Sequence, residues 1–148
     1  MKSLLVKLGV ILIGLLIFVI GCQKTVLRNE STKGVDWKYY NSNEMYLTQY
    51  YTKNITHPSK NIVRVWERWN LTERGVIDCV GKLGKKYENV SHLIILWEIN
   101  CAEKKSRSLS ETSYDNKGKV IISSSSQKEW DFIIPESMHE SLYKEVCK

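Results

Sequence analysis

Histidine is scarce in this sequence, three in 148 residues, and cysteine is hardly commoner, at four. His57, His92 and His139 stand far apart, and so do the cysteines. No pair has the short spacing of metal ligands, and no metal site is expected. The chain also lacks a phosphate-cradling glycine loop and a nucleophile elbow. Asp78, Glu98, Glu103, Asp115 and Asp131 form no recognisable general acid and base arrangement, and Cys79 has no histidine that the sequence would pair with it. An enzyme and a bound cofactor are both unexpected. No dense basic stripe with interleaved aromatic residues occurs, which argues against a nucleic-acid partner. Long apolar runs are missing too. Leu8 to Ile20 is the longest, at about a dozen residues, short of the roughly 20 that cross a hydrocarbon core.

That run nevertheless has a plain meaning. Lys2 and Lys7 flank its start, it carries no charge, and it ends at Gly21-Cys22 before polar Gln23 and Lys24, the layout of an export signal. Val19-Ile20-Gly21-Cys22 resembles the bacterial lipobox: branched apolar residues, a small residue at the cut, and a cysteine whose thiol accepts the diacylglyceryl group. Residues 1–21 are therefore expected to be removed, with Cys22 lipidated and anchored in the membrane, because each buried methylene adds about 0.8 kcal/mol. Gln23 is not the aspartate that marks inner-membrane retention in enteric bacteria, so the outer membrane is the expected location. Cutting 21 residues from 148 leaves 127, one domain's worth. Losing Lys2 and Lys7 leaves 20 basic against 16 acidic residues, a net charge of +4.

Residues 22–34 are polar and aperiodic and read as a lipidated N-terminus with a tether; the folded domain is expected over 35–148. Trp37 and Tyr39 alternate with polar neighbours, and Met45 to Tyr51 is rich in tyrosine and threonine, as suits strands. His57-Pro58-Ser59-Lys60-Asn61 reads as a turn. Ile62 to Trp69 alternates strongly and predicts a strand with a buried face. From Thr72 to Lys86 the period changes. Val76, Val80, Leu83 and Tyr87 form one helical stripe, but Gly75, Gly81 and Gly84, at about 1 kcal/mol each against alanine, predict a short or irregular helix. His92 to Cys101 should be a central strand, and Ser106 to Tyr114 a more polar one. Asp115-Asn116-Lys117-Gly118 signals a turn into a last strand, Lys119 to Ser125. Ser137-Met138-His139-Glu140 is a capping box after Pro135, and Met138, Leu142 and Val146 make one face of a closing helix. The sum is a single α+β domain: an antiparallel sheet of five or six strands, one irregular helix and a C-terminal helix.

With Cys22 taken by lipid, Cys79, Cys101 and Cys147 remain in an oxidising compartment. Three thiols allow one bridge. Cys101, ending the central strand, and Cys147, ending a helix that must pack back on the sheet, are the favoured pair. Cys79 is then a small buried residue or the source of an intermolecular bridge. Lys104, Lys105 and Arg107 form a basic cluster, either plain surface charge or a binding patch for a protein or glycan partner. Asn54-Ile55-Thr56, Asn70-Leu71-Thr72 and Asn89-Val90-Ser91 match the glycosylation pattern, a coincidence in a bacterial chain.

Trp37, Val63-Arg64-Val65-Trp66, Glu98-Ile99-Asn100-Cys101, Tyr114-Asp115, Gly118-Lys119-Val120-Ile121, Trp130, Ile134-Pro135-Glu136-Ser137 and Val146-Cys147 occur in an order that resembles the surface-adhesin protein E family over about residues 35–148. The resemblance implies a lipid-anchored domain with a strongly bent sheet, a C-terminal helix disulfide-tied to it, and a tendency to form homodimers. It also implies binding of host extracellular-matrix proteins such as vitronectin and laminin. Cys79 and the glycine-rich helix depart from the family pattern. Two functions follow as expectations: an adhesin-like binding module on the outer membrane, or an accessory periplasmic lipoprotein that binds an envelope component.

Overall fold

In a computed structural model the chain divides into residues 1–34 and 35–148. The structure describes residues 36–148. The expected signal peptide, the lipidation site Cys22 and the tether lie outside the described residues.

Eight strands form one antiparallel sheet: β1 (Trp37–Ser42), β2 (Tyr46–Tyr51), β3 (Thr56–Ser59), β4 (Ile62–Leu71), β5 (Val90–Asn100), β6 (Lys105–Asp115), β7 (Val120–Ser124) and β8 (Asp131–Phe132). The main order is β1-β2-β4-β5-β6-β7, with β3 on β4 and β8 on β6. The α+β class holds, but the strand number exceeds the expected five or six. The two additions are short edge pieces. The segment expected to be a turn carries β3, where Thr56 and Ser59 face Arg64 and Ile62 across an irregular register. Pro58 is tolerated there because an edge strand can leave its missing donor facing outwards. Register breaks at Tyr39/Asn41, Leu96/Trp97 and Ser113/Tyr114 interrupt the long ladders, and each such bulge bends its strand.

Strand β5 is central, as its apolar sequence predicts. Alternation sorts β4 into Val63, Val65, Glu67 and Trp69 on one face and Arg64, Trp66, Arg68 and Asn70 on the other. The first face packs the core, where Val65, Ile99, Tyr50 and Leu142 are buried. Both helices cover it.

The irregular helix is α1 (Glu73–Leu83) followed by a single 3-10 turn, Lys85–Tyr87. Thr72 caps it by accepting from the Gly75 N–H at 3.2 Å. Gly84, at φ 96°, ends it while its N–H bonds the Val80 carbonyl at 3.0 Å. Left-handed φ is easiest for glycine, so the break falls where the sequence places one. The closing helix is α2 (Met138–Val146), capped by Ser137 accepting from the Glu140 N–H at 3.0 Å. The reciprocal half of the expected capping box is displaced: Glu140 accepts from the Glu136 N–H at 2.9 Å, and Glu136 itself sits at φ 61°. Leu142 is fully buried and Val146 packs against the same core, as the four-residue spacing requires. Cys101 and Cys147 are disulfide-bonded, with Cα atoms 5.5 Å apart, and tie α2 to the end of β5. Cys79 is a free, half-buried thiol.

Candidate functional site

The basic cluster lies at the β5–β6 hairpin and along the start of β6. Lys104 takes the turn position at φ 52°, with its ammonium 6.0 Å from the centre of the Tyr143 ring. Lys105 pairs with Glu103 at 2.9 Å and sits 4.9 Å from the Phe132 ring. Arg107, two residues on and so on the same face of β6 as Lys105, donates to Glu98 from both its Nε and a terminal nitrogen, at 2.8 and 2.6 Å. Arg64 donates to the other oxygen of the same carboxylate at 2.6 Å. Burial alone would raise the Glu98 carboxyl, but the bonds from Arg107 and Arg64 outweigh it and hold the group below the ordinary carboxylate range. Arg64 and Arg107 thus share a single carboxylate, which leaves the trio with a net charge of +1, and Lys105 is partnered. Among the described residues Lys104 is the member of the cluster with no carboxylate partner.

Beside this row opens a cavity of about 400 Å³. Trp69 and Trp97 of β4 and β5 line it, with Met138 and His139 from the first turn of α2, and Phe132 and Ile134 from the segment running along β6. That segment is held by the Lys128 N–H on the Ser108 carbonyl, 3.0 Å, and the Ile133 N–H on the Lys104 carbonyl, 2.9 Å. Phe132 and Ile134 are 74% and 71% exposed, unusually open for large apolar side chains. The capped start of α2 fixes His139, whose ring centre lies 4.3 Å from that of Trp97. Its Nε2 is buried and has no hydrogen-bond partner among the described residues. Burial lowers its pKa to about 4, so the imidazole is neutral at physiological pH.

Behind the indoles lies Glu67, fully buried on the core face of β4. It accepts from the Tyr40 hydroxyl of β1, and from Trp97 Nε1 at 2.6 Å. Trp69 Nε1, buried without an aligned hydrogen bond, faces the same carboxyl. Burial pushes the Glu67 carboxyl up, and the bonds from Tyr40 and Trp97, with the nearby Trp69 N–H, pull it only part of the way back. Burial, then the Glu67 charge, pushes the Tyr40 phenol up in turn. These groups brace the wall of the cavity, and Glu67 does not line it. No cluster of metal-binding side chains occurs among the described residues. The arrangement suits burial of an apolar group with one polar contact at His139.

Sequence reasoning found the basic cluster and missed the cavity. Glu67 carried a readable signal, since it falls in the buried register of Val63 and Val65. Phe132 and Ile134 carried none, because their exposure depends on how residues 128–134 are laid along β6.

No described helix is long and apolar enough to cross a membrane. A family model described as surface-adhesin protein E matches residues 37–148, in agreement with the resemblance seen in the sequence. No curated protein and no solved structure matches the chain.

Proposed function

The chain belongs to the surface-adhesin protein E family, and from that premise we propose that it is a lipid-anchored, non-catalytic binding module of the bacterial outer membrane. Cys22 carries the lipid, and residues 22–34 hold the domain off the membrane. The cavity between β5, α2 and residues 128–134 receives an apolar anchor from a protein partner, with extracellular-matrix proteins as the class the family suggests. The observation that carries this reading is the exposed Phe132 and Ile134 pair at the rim of a largely apolar slot, since clustered exposed apolar residues mark partner sites. Lys104 and Lys105 at the same rim supply a basic border for acidic partners. Pairing with a second copy is part of the reading, and light scattering that finds only the monomer mass removes that part.

The test has two arms. Protease added to intact cells should cut the protein along with a surface control, and an uncut chain beside a cut control would leave the accessory periplasmic reading in its place. Binding of the full lipoprotein to immobilised vitronectin and laminin should fall at least fivefold with Phe132→Ser plus Ile134→Ser. Unchanged binding sinks the role of the cavity.

A further inference from the structure

The sheet face turned away from both helices is ordered in rows across its strands. At one end Arg64, Glu98 and Arg107 stand in register. Next come Trp66 and Leu96, then Gln49, Arg68 and Ile94, then Asn70, His92 and Tyr114. Arg68 lies four residues from Arg64 along β4, about 13 Å at the rise of a strand. The two arginine rows differ in one respect. Arg64 and Arg107 share Glu98, whereas Arg68 makes no hydrogen bond or ion pair among the described residues, and its Nε is buried without a partner.

What surrounds Arg68 is aromatic. Its guanidinium carbon lies 4.6 Å from the centre of the Trp37 ring. On its other side the His92 and Tyr114 rings stack at 4.9 Å and 10°. The positive charge of Arg68 is close enough to add to burial in lowering the His92 pKa. Gln49 and Asn70 are bonded to each other at 3.2 Å, so they do not neutralise the cation. A guanidinium without a partner favours a carboxylate, which matches its fork of donors. Flanking ring faces favour a flat, C–H-rich body beside that carboxylate.

We propose that this face binds an acidic glycan, with Arg68 pairing the carboxylate of a uronate-type sugar and the rings of Trp37 and Tyr114 packing against its neighbours in the chain. The two arginine rows, about 13 Å apart, let an extended acidic polymer run along the sheet face. An acidic peptide offers the same carboxylate but not the ring faces, and it is the alternative that the experiment must reject. The proposal does not rest on the cavity, whose indole wall of Trp69 and Trp97 stands on the opposite face.

The full-length lipoprotein in detergent micelles is titrated calorimetrically with a hyaluronan hexasaccharide, which carries carboxylates and no sulfate. Its carboxyl-reduced form and a poly-glutamate of equal charge are run beside it. We expect the hexasaccharide to bind at least tenfold more tightly than either control. Arg68→Gln should weaken it at least tenfold, and Ile134→Ser at the cavity rim should leave it unchanged, which separates this site from the cavity. If Arg68→Gln loses its native circular dichroism, Trp37→Ala takes its place with the same expected loss. No binding of the hexasaccharide, equal binding of the reduced form, equal or tighter binding of poly-glutamate, or full affinity in the folded variant each overturns the proposal.

Discussion

Replacing Cys101 and Cys147 together by serine should lower the stability of the domain by about 4 kcal/mol. The bridge closes a loop with a sequence separation of 46. In the chain-entropy model a loop of that size removes roughly 13 cal/mol/K from the unfolded ensemble, or about 4 kcal/mol at 25 °C. For a domain of this length the loss corresponds to a fall in Tm of roughly 15 °C. The native state should change little, because α2 has other fastenings: Asn41 to Ser141 at 2.9 Å, Lys38 to Glu145 at 2.8 Å, and the Tyr143 hydroxyl on the Cys101 carbonyl at 3.1 Å. Leu142 also stays in the core. Urea unfolding by far-UV and near-UV circular dichroism reads both parts. The two signals should move together, with a steeper dependence on urea, since an uncrosslinked unfolded chain exposes more surface. A loss below about 1 kcal/mol would refute the entropic argument. So would an early near-UV transition, which would mean that α2 leaves the sheet first and that the bridge acts on the native state.

Three further outcomes follow from single residues. His139, folded pKa about 4 against an ordinary 6.5, binds fewer protons folded than unfolded; stability is therefore present above pH 6.5 and lost as pH falls towards 4, and an NMR titration placing the ring near 6.5 would contradict its burial. Gly75→Ala puts a methyl against the Met45 carbonyl oxygen and should cost about 1–3 kcal/mol in thermal unfolding, whereas Gly81→Ala, which meets nothing, should be neutral or slightly stabilising. Burial raises the Cys79 thiol, so mass spectrometry of the non-reduced protein should find Cys79 as its slowly alkylated free thiol; modification of Cys147 instead would remove the bridge.

The elements that declared themselves early did so through local rules. Ile62 to Trp69 alternates, Gly84 permits a left-handed stop, and Ser137 with Glu140 marks a helix start. Each rule involves residues a few positions apart, and a strand or helix obeys it before any packing is known. Even the pairing of Cys101 with Cys147 was within reach, because the cysteines end elements that must meet. The edge strands β3 and β8 were not, since a two- or four-residue strand has no period and exists only where a neighbour offers its ladder.

The contrast is sharpest at the two candidate binding surfaces. Lys104, Lys105 and Arg107 are close in sequence, yet Lys105 meets Glu103 in the adjoining turn while Arg107 reaches across to Glu98 on the neighbouring strand. Glu67, conspicuous as a carboxyl in a buried register, is made tolerable by Tyr40 and Trp97, which lie 27 and 30 residues away. The sequence by itself determined the α+β class, the order of the main elements, the central strand and the family. Only the tertiary structure decided which carboxylate each cation meets, which apolar residues stay outside and where the cavity opens. Periodicity is a property of neighbours along the chain, whereas a cavity and an unpaired arginine are properties of strands and loops brought together from far apart in it.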